Sequence, residues 1–202
     1  IVSEVHMPTE RASEVLYTLL LAVALSVAIP APLKAQDFEL LEATIEDAHS
    51  AMEDGRITCR SLVQGYIDRI EAFDQTGPRL NAIQHLNQRA LDKADSLDAS
   101  MRSTGISGPL HCIPVLLKDQ VETADMPTTY GSALFQDFVP TRDATITTRM
   151  RAAGAIILAK TTMGEFASRY VGSAFGVIRN AYDPDRNPSG SSGGTATGIA
   201  AS

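Results

Sequence analysis

The sequence predicts an α/β fold that contains a pair of parallel, buried strands. Two apolar runs bounded by turn residues, 110–117 and 155–159, have the length and composition of such strands. A helical pattern lies between them, and Asp143, just before it, is the expected N-cap. The order strand, helix, strand implies a crossover connection, which joins parallel strands. Lys118 and Lys160 directly follow the two runs, and Lys118 thus stands at the end of a parallel strand, where α/β proteins place their sites.

Helical patterns also precede the first strand and form a scaffold without evident chemistry. The first pattern ends at Gly55, and the second begins after Thr58, a good N-cap residue. A third, more polar pattern covers 88–101. Beyond the second strand we expect a short helix at 162–168, then a long irregular loop at 170–188 that is rich in Gly, Asn, Asp and Pro.

The charge balance excludes one broad class of function. The 202 residues carry 24 acidic against 17 basic side chains, a net charge of -7. A protein that binds nucleic acid through phosphate contacts needs clustered Lys and Arg, and no basic run here is longer than two residues. We therefore expect no nucleic-acid partner, and the sequence indicates no particular oligomeric state.

Cysteine and histidine placement gives no sign of a metal site. Cys59 and Cys112 have no metal-ligand spacing, and we interpret them as two separate buried thiols. His111 lies within an apolar run, as a core histidine would, and the other histidines, at positions 6, 49 and 85, are scattered. We therefore expect no metal ion.

The N-terminal region has the features of an export signal. The stretch 15–29 is uncharged and apolar, but it is shorter than the roughly 20 residues that span a bilayer. Small residues at 26–28 fit a signal peptidase site, so 7–28 is interpreted as a signal peptide and the location as periplasmic or secreted. The alternatives for the apolar stretch are a membrane anchor through an uncleaved segment or a buried helix, and the alternative location is cytoplasmic. Residues 1–35 then form the signal and a short linker, and 36–202 the folded domain.

A glycine- and serine-rich segment near the C-terminus is the strongest chemical signal. Ser189 to Gly194 read SGSSGG and precede a small, helix-compatible stretch. Gly190, Gly193 and Gly194 allow close backbone approach, and the following helix would direct its N–H groups at the loop. A flexible linker, a phosphate-binding loop and a serine loop that activates a nucleophile all remain open on these residues alone.

Lys118 has two interpretations of its own. A lysine that ends a buried strand is usually a surface residue whose stem lies along apolar neighbours. If it is desolvated instead, its pKa falls and the amine can accept a proton. A neutral lysine beside a serine hydroxyl forms a base and a proton relay that need no histidine.

Three segments taken together resemble the amidase signature family. They are GPLHCIPVLLKDQVETADMPTTYGS, DATITTRMRAAGAIILAKTTMGEFA and NPSGSSGGTATGIAA, in the family's order. The resemblance covers 38–202 and is strongest from Gly108 onward. Cys112 and Ser189 stand where the family has glycine, as does Ala159, and Ala181 stands where proline is common. The fold that the resemblance implies is a mixed β-sheet sandwiched between α-helices, of which this chain is an incomplete, N-terminal part.

The resemblance also implies a Ser–cis-Ser–Lys triad. Lys118 matches the general base, and Ser191 matches the bridging serine that a cis peptide bond precedes. Ser192 is expected to support the loop by hydrogen bonding, together with Gly190, Gly193 and Gly194 as neighbouring loop residues. The attacking serine of the family would lie after Ser202, so the chain as given is predicted to be inactive.

The activity implied is hydrolysis of a carboxamide C–N bond through an acyl-serine intermediate, without a cofactor. The expected substrate is a small-molecule amide, and 161–168 would line the acyl pocket. Glu165 in that stretch is expected to be a carboxylate favoured at a helix start rather than a catalytic group. The alternatives are a glutamyl-tRNA amidotransferase A-like subunit, which transamidates charged tRNA within a complex, and a non-catalytic fragment.

Overall fold

The computed structural model describes residues 38–202, and the predicted signal peptide at 7–28 lies outside them. The helices are α1 (Ile45–Glu53), α2 (Cys59–Phe73), α3 (Ala90–Thr104), α4 (Thr145–Ala152) and α5 (Gly193–Ala200). The strands are β1 (Ile83–Leu86), β2 (Pro114–Lys118), β3 (Ile156–Thr161), β4 (Val171–Gly172) and β5 (Gly176–Val177). Single 3₁₀ turns lie at Ala133–Phe135 and Glu165–Ala167. No helix within 38–202 has both the length and the apolar character that crossing a membrane requires.

The central sheet is mixed, with strand order β1-β3-β2. Strand β2 runs parallel to β3, and β1 runs antiparallel to it. Helix α4 provides the crossover between the two parallel strands. The predicted α/β class and the parallel pair are therefore confirmed.

Burial differs between the two parallel strands. All six residues of β3 are buried, since β3 lies between two strands and contacts α3, α4 and α5. In β2 only Leu117 is fully buried, so the prediction of burial on both faces was wrong for this strand. The predicted strand at 110–117 was also too long, because Leu110 accepts a turn bond from Ile113 and Cys112 has a left-handed φ of 67°. Extended backbone begins only at Pro114.

Helix starts follow the predictions in part. Thr58 caps α2 as expected, with its side chain accepting from the Ser61 N–H and Ser61 bonding back to the Thr58 N–H. Asp143, in contrast, does not cap α4, which begins after Ala144. The Asp143 carboxylate instead accepts from the Ala124 N–H at 2.8 Å and lies 3.1 Å from Nε of Arg151. The Asp143 carboxylate, which the sequence assigned to the cap, therefore binds the Ala124 N–H and the Arg151 side chain instead.

The two cysteines form a disulfide, so the prediction of two separate thiols was wrong. Cys59 begins α2 and Cys112 precedes β2, and both are fully buried with their Cα atoms 5.5 Å apart. The bond lies in the core between α2, α3 and the sheet. Closing a loop across a sequence separation of 53 contributes about 4 kcal/mol to the free energy of unfolding in the chain-entropy treatment.

The segment after β3 is less regular than predicted. The helix expected at 162–168 is absent, and only a short, irregular turn at Glu165–Ala167 takes its place. Phe166 and Ala167 have left-handed φ values of 47° and 63°, which interrupt a right-handed helix. The loop expected at 170–188 holds the short hairpin β4–β5 and is otherwise irregular. The chain then continues into the glycine-rich loop before α5.

Candidate active site

Lys118 lies at the end of β2, paired in register with Thr161 of β3. Its side chain is partly buried, and Nζ is 2.6 Å from Oγ of Ser191. Burial lowers the pKa of the Lys118 amine below the usual value for lysine, because desolvation penalises the charged form. The structure therefore brings together the two side chains that the resemblance pairs, in an environment that lowers the pKa of the amine.

Close backbone packing shapes the serine loop. The Gly190–Ser191 peptide bond is cis, as the resemblance implied, and Ser189 has a left-handed φ of 65° at a family glycine position. A Cβ at Gly190 would collide with the carbonyl of Arg169, and one at Gly194 would collide with the carbonyl of Thr162. The two glycines are required because the loop passes directly against neighbouring backbone.

Helix α5 begins immediately after this loop. The Gly194 N–H donates to the carbonyl of Thr162 at 3.1 Å, which anchors the first turn of the helix beside β3. Ser192 is the N-cap residue, but its side chain forms no cap hydrogen bond, so the predicted support by this hydroxyl is not observed. Its backbone carbonyl instead accepts from the Ala196 N–H at 3.0 Å. The loop is thus held by backbone contacts.

The turn at 163–168 lies against the serine loop. The Gly164 N–H donates to the carbonyl of Ser191 at 3.4 Å. Glu165 begins the 3₁₀ turn, and hydrogen bonds from Ser132 and Ser173 lower the pKa of its carboxyl. The Ser173 hydroxyl is 2.7 Å from Oε1 of Glu165. These contacts give Glu165 a structural role, through hydroxyl groups rather than through a helix terminus.

A buried ion pair beside Lys118 was missed by the sequence analysis. Asp119 and Lys160 are both fully buried, with Nζ of Lys160 3.5 Å from Oδ1 of Asp119. Burial lowers the pKa of the Lys160 amine, and the Asp119 carboxylate opposes that shift. The available signal was a lysine inside an otherwise apolar strand, AIILAKT, together with the acidic residue that directly follows Lys118.

The histidine expected in the core is buried and lies apart from these contacts. Nδ1 of His111 is 2.8 Å from the Ser107 hydroxyl, and burial lowers the pKa of the ring. Its backbone carbonyl is 2.9 Å from Nε2 of His49. Between positions 38 and 202 no cluster of three or more His, Cys, Asp or Glu side chains is arranged to hold a metal ion.

The chemistry available to the Lys118–Ser191 pair is proton transfer. A neutral amine at 2.6 Å can accept the proton of the Ser191 hydroxyl, while the hydroxyl oxygen can accept a proton from a third group. The pair can therefore act as a base with a relay, and the N-terminus of α5 next to it favours developing negative charge.

Comparison with known proteins identifies relatives over most of the chain. The sequence model of the family described as Amidase matches residues 61–202. The A-type subunit of glutamyl-tRNA(Gln) amidotransferase from Alkaliphilus metalliredigens is 42% identical over 163 residues, which cover 79% of this chain and 33% of that protein. The chain thus spans about a third of the length of the curated relatives it matches.

Solved structures agree with these matches. The peptide amidase from Stenotrophomonas maltophilia superposes with a TM-score of 0.76 at 39% identity, covering 80% of this chain and 34% of that one. An amidase family protein from Bacillus anthracis superposes with a TM-score of 0.74 at 34% identity, covering 78% of this chain and 33% of that one.

Proposed function

The chain belongs to the amidase family, and on that premise we propose that it supplies the base and the proton relay of an amidohydrolase. The reaction is hydrolysis of a carboxamide C–N bond through an acyl-serine intermediate. The single observation that supports these roles is the contact of 2.6 Å between Nζ of Lys118 and Oγ of Ser191. The substrate is a small-molecule amide, and the chemistry needs no cofactor.

The proposed proton path runs through two hydroxyls. Neutral Lys118 takes the proton of Ser191 while Ser191 takes the proton of the attacking serine, whose oxygen bonds to the amide carbon. When the C–N bond breaks, Ser191 gives its proton to the leaving nitrogen and takes one back from Lys118, and the nitrogen departs as ammonia or an amine. Water then repeats the first step on the acyl-serine and releases the carboxylic acid.

The resemblance implies that the attacking serine lies in the part of the relatives that this chain does not match. We propose that the 202-residue chain alone does not hydrolyse amides, because removal of one member of such a triad leaves little catalysis. The complementary part can be supplied by a chimera that joins residues 38–202 to the remaining two thirds of the Stenotrophomonas maltophilia peptide amidase.

The chimera provides the test of the function. Ammonia release from an N-acetyl amino acid amide is expected from the chimera and not from the 202-residue chain. Lys118→Ala is expected to abolish the release, whereas Lys93→Ala, at an exposed lysine of α3, is expected to leave it unchanged. Undiminished turnover in a folded Lys118→Ala chimera would remove the proposed base.

A second candidate is a component that serves transamidation of charged tRNA, as the amidotransferase relatives are named. The disulfide Cys59–Cys112 favours the hydrolase, since disulfides persist in oxidising compartments and are rare in the cytosol.

We propose a periplasmic or secreted location, with 7–28 as the signal. Cell fractionation with thiol labelling tests this: a cytosolic protein with two free thiols would favour the transamidase. A third hypothesis, a non-catalytic fragment, predicts that even the chimera is inactive.

A further inference from the structure

The buried carboxylate of Asp119 organises the turn that follows β2. Its oxygens accept from the Thr129 N–H at 2.9 Å, the Thr129 hydroxyl at 2.6 Å and the Gly131 N–H at 3.1 Å. A buried carboxylate that accepts several hydrogen bonds is held rigidly, and so are the groups that donate them. Asp119 therefore fixes the position of the turn at 129–131 relative to the end of β2.

Lys160 holds the same region from the opposite strand. Its amine donates to the backbone carbonyls of Asp119 and Pro127, each at 3.1 Å, and to the Thr128 hydroxyl at 2.9 Å. The bond to the Asp119 carbonyl lies one residue from Lys118. The Asp119 N–H also donates to the carbonyl of Thr161 at 3.1 Å. The backbone that carries Lys118 is thus fixed from β3 by a main-chain bond and by a buried cation.

The turn at 129–131 connects this pair to the serine loop. The carbonyl of Tyr130 accepts from the Phe166 N–H at 2.9 Å. Gly131 packs so closely on the next segment that a Cβ there would lie 2.7 Å from the carbonyl of Met163. Gly164, which follows Met163, donates to the carbonyl of Ser191. A continuous set of contacts therefore leads from Asp119 to the residue that faces Lys118.

From this geometry we propose that Asp119 and Lys160 are positioning residues, which hold the Ser191 hydroxyl at hydrogen-bonding distance from the Lys118 amine. Lys118 and Asp119 are adjacent in sequence, so one strand end supplies the base and the group that sets its partner's position. Because Lys160 neutralises Asp119, the network adds little net charge next to Lys118. The inference rests on the proposed function, in which the contact between the Ser191 hydroxyl and the Lys118 amine is needed for proton transfer.

The experiment measures the coupling between Lys118 and Ser191 in the 202-residue chain, without requiring turnover. The readout is the titration of the Lys118 amine by ¹H–¹⁵N NMR, and coupling is the change in its midpoint caused by Ser191→Ala. We expect a clear change in the otherwise unaltered chain. In Asp119→Asn we expect that change to be lost, since a side-chain amide cannot accept all the donors that the carboxylate accepts.

Two further variants keep the test decisive. Thr129→Val keeps size and shape but removes the hydroxyl bond of 2.6 Å to Asp119, together with the bonds that this hydroxyl accepts from Gln84 and from the Gly131 N–H. It replaces Asp119→Asn if that variant does not fold. Asp125→Asn is the control, because Asp125 also pairs with a cation, Arg151 of α4, at 2.7 Å, but in a partly exposed position and without a bond to the turn at 129–131. The control is expected to retain the full coupling.

The outcomes separate three accounts. Loss of coupling in Asp119→Asn or Thr129→Val, with retention in Asp125→Asn, supports positioning. Lower thermal stability in all three variants with coupling intact means that Asp119 is merely structural, which overturns the inference. Absence of coupling in the starting chain contradicts the proposed function itself.

In the chimera, Thr129→Val is expected to lower kcat by about 10-fold to 100-fold with little change in KM, as misplacement of a catalytic group does.

Discussion

Lys118 and Lys160 stand near the ends of two neighbouring parallel strands, yet their surroundings differ in every respect that matters for chemistry. Lys118 is partly buried and faces the hydroxyl of Ser191. Lys160 is fully buried and faces the carboxylate of Asp119. The hydroxyl leaves the first amine free to lose its proton, whereas the carboxylate stabilises the charge on the second. The residue type is the same, but the register differs by one place, since Lys118 pairs with Thr161 and Lys160 pairs with Leu117. The two amines therefore lie on opposite faces of the sheet and meet different partners, a hydroxyl for the proposed base and a carboxylate for the structural cation.

The largest effect expected from this difference concerns the partner of Lys118. In the chimera, Ser191→Ala should lower the rate of amide hydrolysis by about 10⁴-fold, as loss of one member of a catalytic triad does. Ser192→Ala is the matched control and should lower it far less, since the Ser192 side chain forms no cap bond. Equal losses in the two variants would show that the loop as a whole, rather than the Ser191 hydroxyl, is required.

The second effect concerns the partner of Lys160. Lys160→Met should reduce the free energy of unfolding by about 4 kcal/mol, because it leaves the Asp119 carboxylate buried without its cation. Lys118→Met should cost far less, since the Ser191 hydroxyl is neutral. Urea unfolding followed by circular dichroism checks both variants. Similar losses in the two would mean that the lysines do not differ as described.

The third effect tests whether the position of Lys118 depends on the disulfide Cys59–Cys112, which lies just before β2. Replacing Cys59 by Ala and Cys112 by Gly should cost about 3 kcal/mol of unfolding free energy, less than the loop-closure value because glycine relieves the left-handed backbone at Cys112. The contact between Lys118 and Ser191 lies at the opposite end of β2 and should persist. A loss of activity in a chimera that remains folded would link the disulfide to the site.

The smallest effect is a displacement of the pH profile. Hydrolysis by the chimera should rise with pH as Lys118 loses its proton, and burial places that step below the usual pKa of lysine. Asp125→Asn should leave the profile in place. A profile that rises only in the usual lysine range would show that desolvation does not tune this amine.

Local patterns sufficed for much of this structure. The capping residue Thr58, the two strands joined by a helix, and the pairing of Lys118 with Ser191 followed from residue spacing and from the family's motifs. The disulfide could not be predicted in this way. One cysteine near a helix start and another in an apolar run, 53 residues away, give no local sign that their sulfur atoms meet. The Asp119–Lys160 pair was missed for the same reason. Asp119 directly follows β2 and Lys160 lies on β3, and only the pairing of the two strands brings them together.

The central claim is that the Lys118 amine is hydrogen-bonded to the Ser191 hydroxyl and that its pKa lies below the usual value for lysine. Its titration by NMR in the 202-residue chain measures both properties together. The account predicts a midpoint below that of a lysine in a short model peptide, which changes when Ser191 is replaced by Ala. A midpoint equal to that of the peptide, and indifferent to Ser191, would contradict it.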